Sequence, residues 1–408
     1  MSEQSFHDPV RHLQYLRQSL SQDNESIGFF ISAGCPLSVK MPAGEWPLIP
    51  DVKKLTLHIS EKLASDESFT KLLSVLKVAD KNCENIEEIL SYLRLMHSVS
   101  KGGDVRGMNE KELENLEKQI CKIIVDKINV ALPDEETPYH RLCNWIRSID
   151  RKTAIEIFTT NYDLLLEQSL EDNEVPYFDG FVGSRRSFFD LRALEDNLIP
   201  SHWTRLWKIH GSISWYQEQN NSQNKVYRSS EIKSDASHLI YPSHLKYDES
   251  RKMPYLALID QLNRFLRKKS SVLIFCGYSF NDGHLNDTIM NALKSNPTAM
   301  ALGLMFGDYY DENGKESYSE AYKLAKKQHN LNIWTNDHAI IGTNFGTWKK
   351  LKNNEDSDTY NDFIKFFDSD IEGSEHKKKV LKMPLGDFNN FTQYLKKIIG
   401  TTKDISND

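Results

Sequence analysis

The chain is poor in the features that would place it quickly. Its 408 residues include five cysteines, Cys35, Cys83, Cys121, Cys143 and Cys276, scattered and odd in number. No C-x-x-C pair occurs among them, which argues against a thiolate zinc ribbon and a redox dithiol. No stretch approaches the ~18 consecutive apolar residues of a membrane span. The opening "MSEQSFHDPV" has no basic region leading into an apolar one, as a secretory leader would. A soluble, cytoplasmic protein is the expectation. The G-x-x-x-x-G-K-[ST] phosphate loop is missing. Net charge is -7, which argues against a broad basic surface and against direct nucleic-acid binding. No clustered carboxylate motif suggests a metal, and no internal repeat is visible.

What is present is enough apolar material, 39% of residues with 11% aromatic, to build a sizeable core. Val10, Leu13, Leu16 and Leu20 give residues 5–24 a helical period. "SIGFFISAG" (26–34) reads as a buried strand entering a turn, followed by a proline-rich segment with Pro36, Pro42, Pro47 and Pro50. From 52 to 147 the pattern is helical throughout. Ile86, Ile89, Leu90 and Leu93 share one face, as do Leu113, Leu116, Ile120, Ile124 and Ile128. Strand signals return at 153–161, 204–212, 237–243, 270–279, 299–308 and 331–337, with a helix at 254–269. Residues 217–237 read as an exposed hairpin or loop, and 349–362 as a linker before a helical tail.

This alternation predicts an α/β fold: a Rossmann-like, mostly parallel sheet with a helical insertion and a C-terminal helical tail. The expected division is an N-terminal helix over 1–25, an α/β domain over 26–345 with the insertion at 52–152, and a linker and tail over 346–408.

Ligands of such sheets bind beyond the carboxyl ends of the strands. Four strand ends here carry small or functional groups: Ser32-Ala33-Gly34, Thr160-Asn161-Tyr162-Asp163, His210-Gly211-Ser212 and Gly277-Tyr278-Ser279-Phe280-Asn281-Asp282. Gly34 suits a strand-to-helix turn whose N–H groups meet a phosphate, or simply a tight turn. Asn161 suits ribose hydroxyls or a water, while Thr160, Asn161 and Asp163 also fit a plain helix cap. His210, next to a glycine, suits a general base. Gly277 and Ser279 suit a ribose and base, with Asn281 and Asp282 at the rim. The alternative is a loop satisfied by its own Asn and Asp turns.

Taken in order, "SAGCP", "FTTNYD", "KIHGS" and "FCGYSFND" resemble the motifs of the sirtuin (silent information regulator) superfamily, in particular its bacterial defence branch. "NIEEIL" is similar to that branch's helical segment. The likeness runs from about residue 26 to 340. It implies NAD as substrate and cleavage of the bond between nicotinamide and ribose, with no metal. Deacetylating sirtuins hold zinc on four cysteines and carry glutamine where this chain has Thr160, so the resemblance favours outright NAD hydrolysis that depletes NAD during phage infection. By the same likeness Asn161 orients ribose and water, His210 is the base and Asp163 supports both. Ser32, Ala33, Gly34, Thr160, Gly211, Gly277, Ser279 and Asp282 bind the dinucleotide, with Ser279 and Asp282 at its adenosine end. A homo-oligomer assembled with a HerA-type hexameric DNA-translocase ATPase is the implied partnership. Ser32 and Pro36 depart from the family's Gly-Ala-Gly-x-Ser. Ser32 supports a rival reading, a module that senses NAD or ADP-ribose without turnover; a nuclease is the third.

Overall fold

A computed structural model describes residues 5–45, 47–220, 223–232, 238–240, 254–351, 360–369 and 378–399. Its centre is a ten-stranded sheet in the spatial order β1 (Phe6–His7), β15 (Asn344–Trp348), β14 (His338–Ile341), β13 (Leu331–Trp334), β12 (Met300–Leu304), β11 (Val272–Cys276), β2 (Ile27–Ile31), β3 (Glu156–Thr159), β7 (Thr204–Lys208) and β4 (Tyr177–Phe178). Every pairing is parallel except β13 with β14 and β14 with β15. The chain runs outward from β2 through β3 and β7, then returns to place β11 on the other flank of β2. The order therefore reverses between β2 and β11, the position at which such sheets open a crevice.

Burial on both faces explains why the strands are apolar runs rather than half-polar ones. In β2, Ile27, Phe29 and Ile31 join one core while Phe30 joins the other. Ile157 and Phe158 of β3, Leu206 and Trp207 of β7, and Ile274 and Phe275 of β11 divide in the same way.

The first face carries α1 (Pro9–Ser21) and the insertion: α2 (Val52–Lys62), α3 (Glu67–Val78), α4 (Ile86–Val99), α5 (Glu110–Ile128) and α6 (Pro138–Arg147). Each insertion helix has a side-chain N-cap, from Asp51, Asp66, Asn85, Asn109 and Thr137 in turn. After β3 come α7 (Leu165–Asp172) and α8 (Leu191–Glu195). The second face carries α9 (Tyr255–Leu266), α10 (Gly283–Ser295) and α11 (Ser319–Ala325).

The last helix, α12 (Phe388–Ile399), is part of the core. Phe391 packs on Phe29 at 6.2 Å between ring centroids, and the Tyr394 hydroxyl donates to the Leu13 carbonyl at 2.7 Å. Between β15 and α12 lies a hairpin of β16 (Lys365–Ser369) and β17 (Lys378–Lys382), so the tail is not helical alone. The division drawn after residue 345 cuts through β15.

Two strand readings need correction. Residues 204–212 are not one strand: β7 ends at Lys208, and Gly211 opens β8 (Gly211–Asn220) in a second, antiparallel sheet. That sheet has the order β10 (His238–Ile240), β8, β9 (Gln223–Arg228), β6 (Ser187–Phe189) and β5 (Phe181–Val182). The 237–243 segment therefore adds to the second sheet, through 238–240, and not to the parallel one; 237 and 241–243 lie outside the described residues. The hairpin expected in 217–237 is β8 and β9, with 221–222 and 233–237 outside the described residues.

Candidate functional site

Strands β11, β2, β3 and β7 lie side by side and parallel, so the segments leaving their carboxyl ends meet. They frame a cavity of about 510 Å³, within the usual range for a small-molecule site. Ser32, Ala33, Thr160, Asn161, Asp163, His210, Ser279 and Asp282 line it. Gly34, Gly211 and Gly277 do not. They shape the backbone behind the wall instead.

The loop after β2 is committed to its own structure. The Ser32 N–H donates to Cys276 O at 3.0 Å, Gly34 to Gly277 O at 3.1 Å and Cys35 to Ser32 O at 2.9 Å. The expected helix start is only a 3-10 turn, Cys35–Ser38. Gly34 thus does not aim its N–H at a ligand, as the phosphate-loop reading required. Its glycine is needed because Gly277 presses against it. Cys35 is buried, and burial pushes its thiol well up.

The loops after β3 and β7 are stitched together. Ile209 N–H donates to Thr159 O at 2.9 Å, and beyond the corner Ile213 N–H donates to Tyr162 O at 3.0 Å. His210 sits at that corner, where Gly211 takes φ +94° and lets the chain pass from one sheet to the other. Asn161 is held by its backbone N–H on Thr159 Oγ1 at 3.0 Å and by its Nδ2 on Ser32 O at 3.4 Å. Thr160 Oγ1 and Ser32 Oγ lie 2.7 Å apart, a bond across the ends of β2 and β3.

Asp163 lines the cavity with Asn161 and His210. Its carboxylate accepts the Leu165 N–H at 3.1 Å at the entry to α7. Burial pushes its carboxyl up, and the Lys208 charge pulls it back. The Oδ2 of Asp282 lies 3.6 Å from His210 Nε2, which places it beside the proposed base.

Two contributions escaped sequence reasoning. Lys208 is 1% exposed; its Nζ pairs with Glu167 Oε1 at 2.9 Å and donates to the Asp163 carbonyl, tying β7 to the loop that bears Asn161. The signal available was a lone lysine inside an apolar strand. The second is the roof. Ile49, Pro50, Val52, Leu55, Ile86 and Leu90 close an apolar half of the cavity, with Glu87 at its edge. "NIEEIL" contains four of the lining residues, Asn85, Ile86, Glu87 and Leu90, yet nothing local shows that α4 reaches a cavity at the ends of the strands.

Among the described residues, no group of three or more His, Cys, Asp or Glu side chains is placed to hold a metal. Nor is any described helix long and apolar enough to cross a membrane. All five cysteines are free, and four are buried.

Residues 155–330 match the family profile described as SIR2-like domain. That span contains the second, third and fourth of the motif-bearing strand ends and stops short of Ser32–Pro36. No curated protein matches the chain. Among solved structures, one described as "Structural Basis for the Mechanism and Regulation of Sir2 Enzymes" aligns with 72% of this chain and 85% of its own. It does so at 10% identity and a TM-score of 0.29.

Proposed function

We propose that the chain is an NAD glycohydrolase, releasing nicotinamide and ADP-ribose. The observation that carries this reading is the meeting of Asn161 and His210 in one cavity beside the reversal of strand order. The fit to a dinucleotide is uneven. The cavity has the size for a small ligand, polar groups at the strand ends, and an apolar half suited to a planar ring. The N–H groups of Ser32, Gly34 and Cys35 are occupied and contribute nothing to a pyrophosphate as arranged.

In the proposed reaction the bond from ribose C1′ to the pyridinium nitrogen breaks, and its electron pair stays on nicotinamide. Positive charge builds on the ribose. Water adds to C1′ and gives up a proton to His210. Asn161 holds the ribose hydroxyl and that water in place. General-base help of this kind is worth about 10²–10⁴-fold.

The wider role rests on the motif resemblance: an anti-phage effector that depletes NAD, works in the cytoplasm, forms a homo-oligomer and is controlled by a HerA-type ATPase. Because α12 spends its apolar face in the core, assembly through the tail would use its outer face. The test is nicotinamide release from NAD by the wild type, Asn161→Ala and His210→Ala, each with and without the ATPase. Turnover that survives both substitutions would remove the assignment.

A second reading has one observation in its favour. The Ser32–Thr160 bond joins two strand ends that line the cavity, as a module that binds without turnover would tolerate. Saturable NAD binding without nicotinamide release, in every combination with the ATPase, would select it.

A further inference from the structure

The loop "GYSFND" is built to hold one carboxylate still. Gly277 and Phe280 both take left-handed backbone, φ +67° and +59°, and the second is unusual for a bulky residue. The bend is locked from beneath. The buried Tyr278 hydroxyl donates to Asn286 Oδ1 at 3.0 Å, and Asn286 Nδ2 donates to Phe280 O at 2.7 Å. The product of this bend is Asp282, the N-cap of α10. Its Oδ1 accepts the N–H groups of His284 and Leu285 at 3.1 and 3.3 Å. With one oxygen pinned by the helix, the other, Oδ2, is left 3.6 Å from His210 Nε2. Both side chains are nearly buried, at 10% and 12% exposure, where a charge pair is little screened by solvent.

Capping alone needs none of this. An exposed N-cap on α10 would serve the helix equally well. From the pairing we infer that Asp282 is a positioning residue for His210: it orients the imidazole and stabilises its protonated form. A base that takes a proton in a buried site becomes an imidazolium, and a fixed carboxylate beside it lowers the energy of that state. The inference rests on the hydrolase reading for its kinetic consequence, but not for the pairing itself. Other charged or titratable groups face the same space. Tyr162 stands 6.5 Å away between ring centroids, Asp163 lines the cavity from the β3 loop, and Glu87 lines it from α4. Lys208, two residues before His210, turns its amine to Glu167 instead.

The test is Asp282→Asn, which keeps an efficient N-cap and removes the charge. Asp282→Ser is a second cap-retaining variant in case the first does not fold. Two readouts are taken. The imidazole of His210 is titrated by NMR in wild type and variant; its pKa is expected to fall by about one pH unit or more on loss of the carboxylate. NAD turnover is followed against pH; kcat is expected to fall roughly 10- to 100-fold, with KM within about threefold and the acid limb of the profile shifted in step with the titration. An unchanged His210 titration would overturn the pairing. An unshifted acid limb, with kcat unchanged, would overturn its role in turnover. If the wild type releases no nicotinamide, alone or with the ATPase, the hydrolase reading falls while the His210 titration still decides the pairing.

Discussion

The backbones of Gly34 and Gly277 are in direct contact. A Cβ on Gly34 would come within 2.8 Å of the Gly277 α-carbon, and one on Gly277 within 2.6 Å of the Cys35 nitrogen. This contact joins the loops that leave β2 and β11, on either side of the point where strand order reverses. Neither glycine lines the cavity; their contact lets two of its walls close on each other.

Gly277→Ala should therefore cost more than an ordinary surface change. It forces a side chain onto φ +67° and against backbone that cannot swing away. A loss of about 2–3 kcal/mol is expected in urea denaturation. Gly44→Ala, also at positive φ but with open space around it, supplies the comparison and should lose less. Equal losses would show that backbone conformation, and not the contact, sets the requirement.

Lys208→Met should be among the most damaging single changes. It strands the buried Glu167 carboxylate, whose pKa burial already pushes up against the pull of Lys208. Breaking one side of such a pair costs about 3–5 kcal/mol. The double variant Lys208→Met with Glu167→Gln should recover a large part of that, since no unpaired charge remains. A double variant no more stable than the single one would mean that Lys208 matters mainly through the Asp163 carbonyl it holds. In either case NAD turnover should drop with Lys208→Met, because the Asn161 loop loses its tie to β7.

Acid should loosen the edge of the sheet. His12 lies among His7, Tyr15, Trp334 and Trp348, and its pKa is held down to about 4, by burial first and then by the neighbouring charges of His7 and Arg11. The unfolded chain takes up this proton near 6.5 and the folded one does not. Stability from this group is thus complete above pH 7 and is lost as pH falls from about 6.5 towards 4. The loss is about 2 kcal/mol, less than the whole shift implies because the ring is partly open to solvent. His12→Phe should flatten that part of the stability curve. A curve of unchanged slope would place the acid sensitivity elsewhere.

The legible part of this site was its chemistry, and the illegible part was its support. Apolar runs before Ser32, Thr160 and Gly277 mark buried parallel strands whatever their order, and polar residues at such ends stand out. His210 is legible too, although 204–212 reads as one strand, because Gly211 and Ser212 continue the alternation into a different sheet. Which ends become neighbours depends on sheet order, and that follows from packing across more than 100 residues. Hence Asp282 could be seen as a functional side chain but not as a neighbour of His210, which lies 72 positions away in sequence. Gly34 fits a phosphate cradle and a plain tight turn alike, because its local pattern is the same whether its N–H meets a ligand or Gly277 O.

The insertion gives the sharpest test of where a ligand sits. Leu55 of α2 is half-buried and belongs to the apolar lining of the cavity. Leu55→Trp fills space there and leaves Asn161, His210 and Asp282 unsubstituted. If a planar ring occupies that half, the variant should lose at least tenfold in kcat/KM for NAD, about 1.4 kcal/mol or more. It should also lose the rise in melting temperature that saturating NAD gives the wild type. Its own melting temperature should stay within a few degrees, since overpacking at a cavity wall meets empty volume before it meets the core. Turnover and ligand stabilisation at wild-type levels would place the whole ligand along the strand ends. The roof would then be scaffold, and the apolar half of the cavity no part of the binding site.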